Sequence, residues 1–222
     1  MQNFVSQTFI PINRSAKIFG LSLFAMIICT VIVDELILSN YIIPNNVDQL
    51  ELDINQDSSK LLFASLFYTL ILIFDSIIAI SAYHIFKSTN RQLALATSLL
   101  RIIYVAIAGI GVVFFAVDVI DVHSYHSIKL LGYAFFTLHI FCMGYIVFLS
   151  KYIPCFFPAM LFIASFCYVP AFYFPDHFSD PILGIFALFM ALGEVSLGIW
   201  LLKNDNNLTT SISEYNISNA QS

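Results

Sequence analysis

Four ionisable residues stand inside apolar stretches of the chain: Asp75, Arg101, His139 and Glu194. Two carboxylates and an imidazole can exchange protons or hold a cation, whereas a guanidinium keeps its charge at any accessible pH. An Asp or Arg at the centre of a membrane span costs roughly 2.5–3.5 kcal/mol on insertion scales, so each of these residues needs a physical reason. Three arrangements supply one. In a structural clamp, Arg101 pairs with Asp75 or Glu194 and His139 satisfies the remainder; with the imidazole protonated the four charges sum to zero. In a binding site, the same groups receive a small solute or a proton at mid-membrane. In a catalytic centre, His139 and the two acids would have to act without Arg101 claiming the acids, and zinc hydrolysis would usually want three good ligands and an open position. The chain has no GxSxG, HExxH or P-loop signature. No catalytic residue is therefore assigned, and neither a metal nor a cofactor is expected.

The elements that must position these residues follow from composition. Of 222 residues, 59% are hydrophobic and only 10% charged, against roughly 25% charged in soluble domains, and the mean hydropathy is +0.88. No core of this size buries so much apolar surface, so the solvent is lipid. Six continuous apolar runs, at 17–38, 61–86, 93–117, 129–149, 156–174 and 182–202, are each long enough to cross about 30 Å of hydrocarbon as a helix. None alternates with period two, as barrel strands would. The expected fold class is all-α, a polytopic transmembrane bundle of about six helices. Residues 1–16 form a cytoplasmic N-terminal segment, 17–203 the membrane domain and 204–222 a disordered, Asn- and Ser-rich cytoplasmic tail. The first run follows Arg14 and Lys17 as a signal peptide would, but Asp34-Glu35-Leu36 replaces a cleavage site, so it reads as an uncleaved helix. Pro170 should kink or end the fifth helix. Cys29, Cys142, Cys155 and Cys167 show no CxxC spacing, and no disulfide is expected.

Charge in the connections sets the threading. Arg14 and Lys17, Lys87 and Arg91, Lys151, and Lys203 fall in alternate connections. The others are acidic: Asp48, Glu51, Asp53 and Asp57, then Asp118 and Asp121, then Asp176 and Asp180, with only Lys60 and Lys129 near that side. The positive-inside rule puts both termini in the cytoplasm. Tyr41, Tyr83, Tyr125, Tyr152, Tyr173 and Trp200 sit near run ends, as an interfacial aromatic belt requires. Asp118, Asp121, His123 and His126 read as a solvated loop, His177 as a loop residue and His84 as a polar interface residue. At 1.5 Å per residue the four buried ionisable residues lie about 12–16 Å from the basic ends of their runs, a single layer about 4 Å thick.

Small and polar stripes predict which faces turn inward. They are Gly184, Ala187, Ala191, Glu194 and Gly198 on the sixth run, Ala94, Thr97, Arg101 and Ala108 on the third, and Ala64, Tyr68, Asp75, Ala79 and Ala82 on the second. Leu192 and Ile199 then face lipid. Asp75 is the favoured partner of Arg101, because a short connection makes the second and third helices antiparallel neighbours.

Several motifs together resemble a known family. They are Asn90-Arg91 ahead of the third helix with Arg101 inside it, Phe136-Thr137-Leu138-His139 with Gly144-Tyr145, Ser150 to Pro154, and Gly193-Glu194 with Trp200-Leu201-Leu202-Lys203. Asp75 matches the family's acidic position. Over roughly residues 12–204 the chain is similar to the uncharacterised, mainly bacterial membrane proteins grouped as domain of unknown function 4386. It departs from them at Val169-Pro170-Ala171, where polar residues are usual, and in its acidic third loop. The resemblance implies a shared helical fold in a bacterial inner membrane and a family feature in the four-residue layer; it implies no activity. The functional expectation is a small-solute or proton-linked transport-like protein with a polar site at Asp75, Arg101, His139 and Glu194. Its rivals are an intramembrane enzyme acting on a lipid or prenyl substrate and a non-catalytic partner subunit, and an enzyme is the less expected outcome. The bilayer is the one partner that composition names, with a small-molecule or lipid ligand in the first two readings. The absence of a basic patch excludes nucleic acid.

Overall fold

The computed structural model describes residues 11–33, 58–117 and 119–204. Within them run six long helices: α1 (Ile12–Val31), α2 (Ser58–Phe86), α3 (Arg91–Ala116), α4 (Val122–Ser150), α5 (Phe156–Tyr173) and α6 (Asp180–Lys203), with a 3₁₀ turn at Pro175–His177 before α6. All six are long and apolar enough to cross a membrane. The protein is a multi-pass membrane protein of the all-α class.

Local chemistry sets the helix ends. Extended Asn90 caps α3 by accepting from the Leu93 amide at 3.0 Å, and Asp121 caps α4 by accepting from the Ser124 amide at 2.7 Å. Hydrogen bonds from the Ser124 hydroxyl and amide hold the Asp121 carboxyl below its ordinary range. The Asp121 cap corrects one expectation. Because α4 starts at Val122, well before the apolar run at 129, His123 and His126 lie in helical turns and not in a loop; Asp118 is outside the described residues. Lys151 reverses the chain after α4 in the left-handed region, at φ 54°. Helix α5 continues through Pro170 for less than a turn and ends at Tyr173.

Each helix packs on its neighbours in sequence, and α1 closes against α6, so the six form a ring. Short connections make successive neighbours from α2 to α6 antiparallel. One end of the ring, the basic end, carries Arg14, Lys17, Lys87, Arg91, Lys151 and Lys203. The half of the bundle nearest that end is solid. Ile78, Ile85, Ile140, Ile146, Val147, Leu161 and Leu201 are completely or almost completely buried there, with Ala82, Met143 and Leu197. Glycines let backbones meet in this half. A Cβ on Gly198 of α6 would lie 2.5 Å from Leu23 Cδ2 of α1, and one on Gly193 would lie 2.6 Å from Ala164 Cβ of α5.

The opposite half is looser. There α2, α3 and α4 share a smaller cluster in which Tyr125, 5% exposed, stacks on Phe115 at 4.7 Å. Tyr125 is a core residue, contrary to its expected place in the aromatic belt; Tyr41 lies outside the described residues. The small stripe of α6 also divides. Glu194 and Gly198 are buried, but Gly184 and Ala191 are exposed and Gly184 has open space beside it. Leu192 and Ile199 face outward, 40% and 37% exposed.

Candidate functional site

Arg101 stands at the centre of the ring with no exposed surface. A guanidinium has five N–H donors, and all five are engaged. Nε donates to Asp75 Oδ1 at 2.8 Å, and Nη2 donates to the same oxygen. Nη1 donates to Glu194 Oε1 at 2.6 Å and approaches His139 Nε2 at 3.1 Å. The second Nη2 proton points to Met26 Sδ at 3.8 Å. Partners thus come from α2, α6, α4 and α1, and the Phe136 ring covers the guanidinium carbon at 5.1 Å. All four residues singled out in the sequence meet at one point, and Arg101 contacts both acids.

The imidazole has a fixed role. His139 Nδ1 lies 2.8 Å from the Thr97 carbonyl oxygen. That oxygen only accepts and the guanidinium only donates, so Nδ1 carries the proton and Nε2 offers its lone pair. His139 is neutral. The zero-sum layer read from the sequence required a protonated imidazole and is corrected: with both acids ionised, the layer carries one negative charge in excess. The Thr97 hydroxyl is itself buried, with no hydrogen-bond partner among the described residues. Among the described residues, no group of three His, Cys, Asp or Glu is arranged to hold a metal ion.

Exposure separates the members of the layer. Asp75, Arg101 and His139 are 1%, 0% and 0% exposed, but Glu194 is 9% exposed. Glu194 borders a cavity of about 280 Å³ to which every helix of the ring contributes. Apart from Leu23 and Val195, which edge it at the level of the layer, the lining residues lie on the side of the charged layer away from the basic end. From α1 come Met26, Ile27 and Thr30, and from α2 Ile71. Tyr104 comes from α3, Tyr133 and Phe136 from α4, and Tyr168 and Phe172 from α5. The remainder is on α6, where Ala187, Met190 and Ala191 precede Glu194. Glu194 is thus on the floor of a one-sided cavity whose walls are aromatic and aliphatic. Exposed Ala191 and Val31 place its mouth at the seam between α1 and α6. These two helices touch at Gly20 and Gly198 in the basic half, below the mouth. A smaller cavity of about 80 Å³ shares Thr30, Ile71, Tyr104 and Tyr133 with it and extends to Lys129, whose ammonium lies 5.7 Å from the Tyr133 ring centre.

The comparison with known families gives a consistent result. The model of a domain of unknown function (DUF4386) matches residues 18–121 and 115–204. The chain belongs to this family. An uncharacterised protein of the archaeon Archaeoglobus fulgidus is 31% identical over 146 residues, covering 65% of this chain and 85% of the relative. No solved structure matches. All four residues of the layer lie within the segments matched by the DUF4386 model. Membership brings no assigned activity, and the archaeal relative means that a bacterial origin does not follow from it.

Sequence reasoning about this DUF4386 protein missed the aromatic walls. Tyr104, Tyr133, Phe136, Tyr168 and Phe172 sit on three different runs, so no one helical stripe reveals them; the signal was an aromatic content of 16% with 11 tyrosines. It also missed buried Lys129, which the late estimate of where α4 begins left near a loop.

Proposed function

We propose that this is a transport-like protein of the cell membrane, which admits a small solute or a proton to a mid-membrane site from one side. The observation that carries the reading is the cavity of about 280 Å³ with Glu194 on its floor, set above a half-bundle of packed aliphatic side chains. A carboxylate reachable from one side and sealed from the other is what one state of an alternating-access cycle requires. The positive-inside rule turns the basic end to the cytoplasm, so the cavity faces outward. The engaged state of Arg101 argues against an anionic solute, because a new acceptor would have to displace an existing one.

A structural reading is favoured for part of the layer. Asp75, Arg101 and His139 are dry and paired through the guanidinium, as a clamp would be; Glu194 also accepts from Arg101 but alone of the four borders the cavity. A lipid- or prenyl-directed enzyme is less well supported, since the imidazole is fully buried with both nitrogens in use.

Cysteine accessibility tests the proposal. With the four native cysteines replaced, Ala191→Cys in vesicles should react with an impermeant thiol reagent from the side opposite the basic end. Ala82→Cys, which is 2% exposed in the packed half, should be protected at rest and become reactive from the basic side in a fraction of molecules during turnover under a pH gradient. Protection of Ala82→Cys under every condition, with Ala191→Cys reactive, would reduce the protein to a one-sided receptor or scaffold.

A further inference from the structure

Resting on the reading of the cavity as a solute site, we infer that its ligand is a small organic ammonium ion, bound at Glu194 in exchange for a proton. Three independent features lead there. First, the layer carries one uncompensated negative charge once His139 is neutral and Arg101 is counted against one acid. In lipid that charge needs a positive partner, and either a proton on the carboxylate or a ligand cation supplies it. Second, Glu194 is the only member of the layer on the cavity wall. Third, the walls above it include the rings of Tyr104, Tyr168 and Phe172, and aromatic faces attract ammonium groups, most strongly where water is excluded; the Tyr133 ring already carries the Lys129 ammonium.

Size and shape narrow the class. The volume of about 280 Å³ lies just below the roughly 300–1,000 Å³ typical of drug-sized pockets, which suits a cation with one ring or a short chain. The apolar walls favour a body that is itself apolar, and the mouth between α1 and α6 admits an amphipathic molecule. A hard inorganic cation would find one carboxylate and a few neutral hydroxyls, those of Thr30, Tyr104, Tyr133 and Tyr168, short of the about six to eight oxygens, several of them charged, that such an ion takes.

The exchange balances in charge. When the ammonium arrives, the proton on a Glu194 oxygen leaves to bulk solvent and the carboxylate pairs with the cation. The layer with its occupant is neutral before and after. Both acids accept from Arg101, but Asp75 of α2 and His139 of α4 are closed off from the cavity, and Glu194 alone borders it, where a proton can be exchanged. Tyr104 of α3, Tyr133 of α4 and Tyr168 of α5 carry phenols that stay neutral in this range, Lys129 of α4 lies beyond Tyr133 in the adjoining smaller cavity, and α1 lines the larger cavity with no titratable side chain.

The test uses the full chain in lipid nanodiscs, with benzyltrimethylammonium as probe, because its charge does not titrate. Calorimetry in two buffers of different ionisation enthalpy should show saturable binding with one proton released per cation at acidic pH. The apparent Kd should weaken tenfold for each unit of pH lowered on the acid limb and level off above it. Glu194→Gln should bind at least tenfold more weakly with no proton release. Tyr168→Leu, which leaves the charge layer intact, should weaken binding roughly fivefold and keep the proton stoichiometry, so the inference is testable even if Glu194→Gln fails to fold. Equal, pH-independent binding of the neutral carbon isostere neopentylbenzene would overturn the inference, as would cation binding without proton release. If the probe does not bind while Ala191→Cys is still labelled, the cation assignment falls and the outward cavity stands. If Ala191→Cys is also unreactive from either side, both fall.

Discussion

An arginine in hydrocarbon must find acceptors for five N–H groups, and Arg101 finds them on four other helices. Removing it leaves two acids facing one neutral imidazole. Arg101→Leu should therefore lower stability by about 3–5 kcal/mol, the usual consequence of breaking a buried ionic pair. The second change Asp75→Leu should recover much of that loss, because the acid then remaining, Glu194, borders the cavity and can take up a proton there. Thermal melting of purified protein checks this; a double variant no more stable than Arg101→Leu alone would show that Asp75 is not the group Arg101 neutralises. At this scale the sequence was informative about residue type and depth, since Asp75, Arg101, His139 and Glu194 each stood out against an apolar background. It could not reveal the tautomer of His139. That depends on the Thr97 carbonyl, a backbone atom on another helix, and with it goes the charge of the layer and the kind of ligand the layer can accept.

Helix α6 shows how far a stripe of small residues can be read. Spacing put Gly184, Ala187, Ala191, Glu194 and Gly198 on one face, and they do share one; spacing does not say what lies opposite. At Gly198 it is Leu23 of α1, and at Ala191 it is the cavity mouth. The two positions should therefore respond differently to the same substitution. Gly198→Leu should destabilise by about 1–3 kcal/mol or more through overpacking. Ala191→Leu should melt within a few degrees of the parent and occupy the mouth, and Ile199→Ala, on the lipid face, should melt likewise. Parallel melting curves in one detergent decide the matter, and a Gly198→Leu variant as stable as Ala191→Leu would mean that α1 and α6 do not touch there. Helix starts were legible where a cap is recognisable: Asn90 and Asp121 both precede helices and accept from the amide three residues on. The α4 start lies ahead of its apolar run all the same, because the first turns carry His123, Ser124 and His126 before the hydrophobic stretch.

For the whole molecule, the ring order, the packed half and the cavity half acquire a direction only when the bundle is oriented in its membrane. Composition settled the solvent, and the six spans among the described residues bring the start of α1 and the end of α6 to the same end of the ring. Which side rests on charge alone. Arg14, Lys17, Lys87, Arg91, Lys151 and Lys203 gather at one end of the ring, while Asp121, Asp176 and Asp180 lie at the other. Lys60, at the start of α2, and Lys129, buried within α4 at 7% exposure, are the exceptions. A lysine that packs on Tyr133 inside the bundle contributes less to retention on the translocation side than one in a flanking loop, so it does not offset the bias. Reporter fusions after residues 89 and 152 should consequently read cytoplasmic, and fusions near 120 and 178 should read on the far side. Neutralising Lys87, Arg91 and Lys151 together should weaken this orientation and yield a mixed population. A uniformly inverted result would leave the ring and its charged layer unchanged but turn the cavity toward the cytoplasm. The site would then be loaded from within, and an ammonium ion exchanging with a proton at Glu194 would be drawn from the cytoplasmic pool. One inverted site with the other three concordant would instead break the even count and remove a helix from the span set.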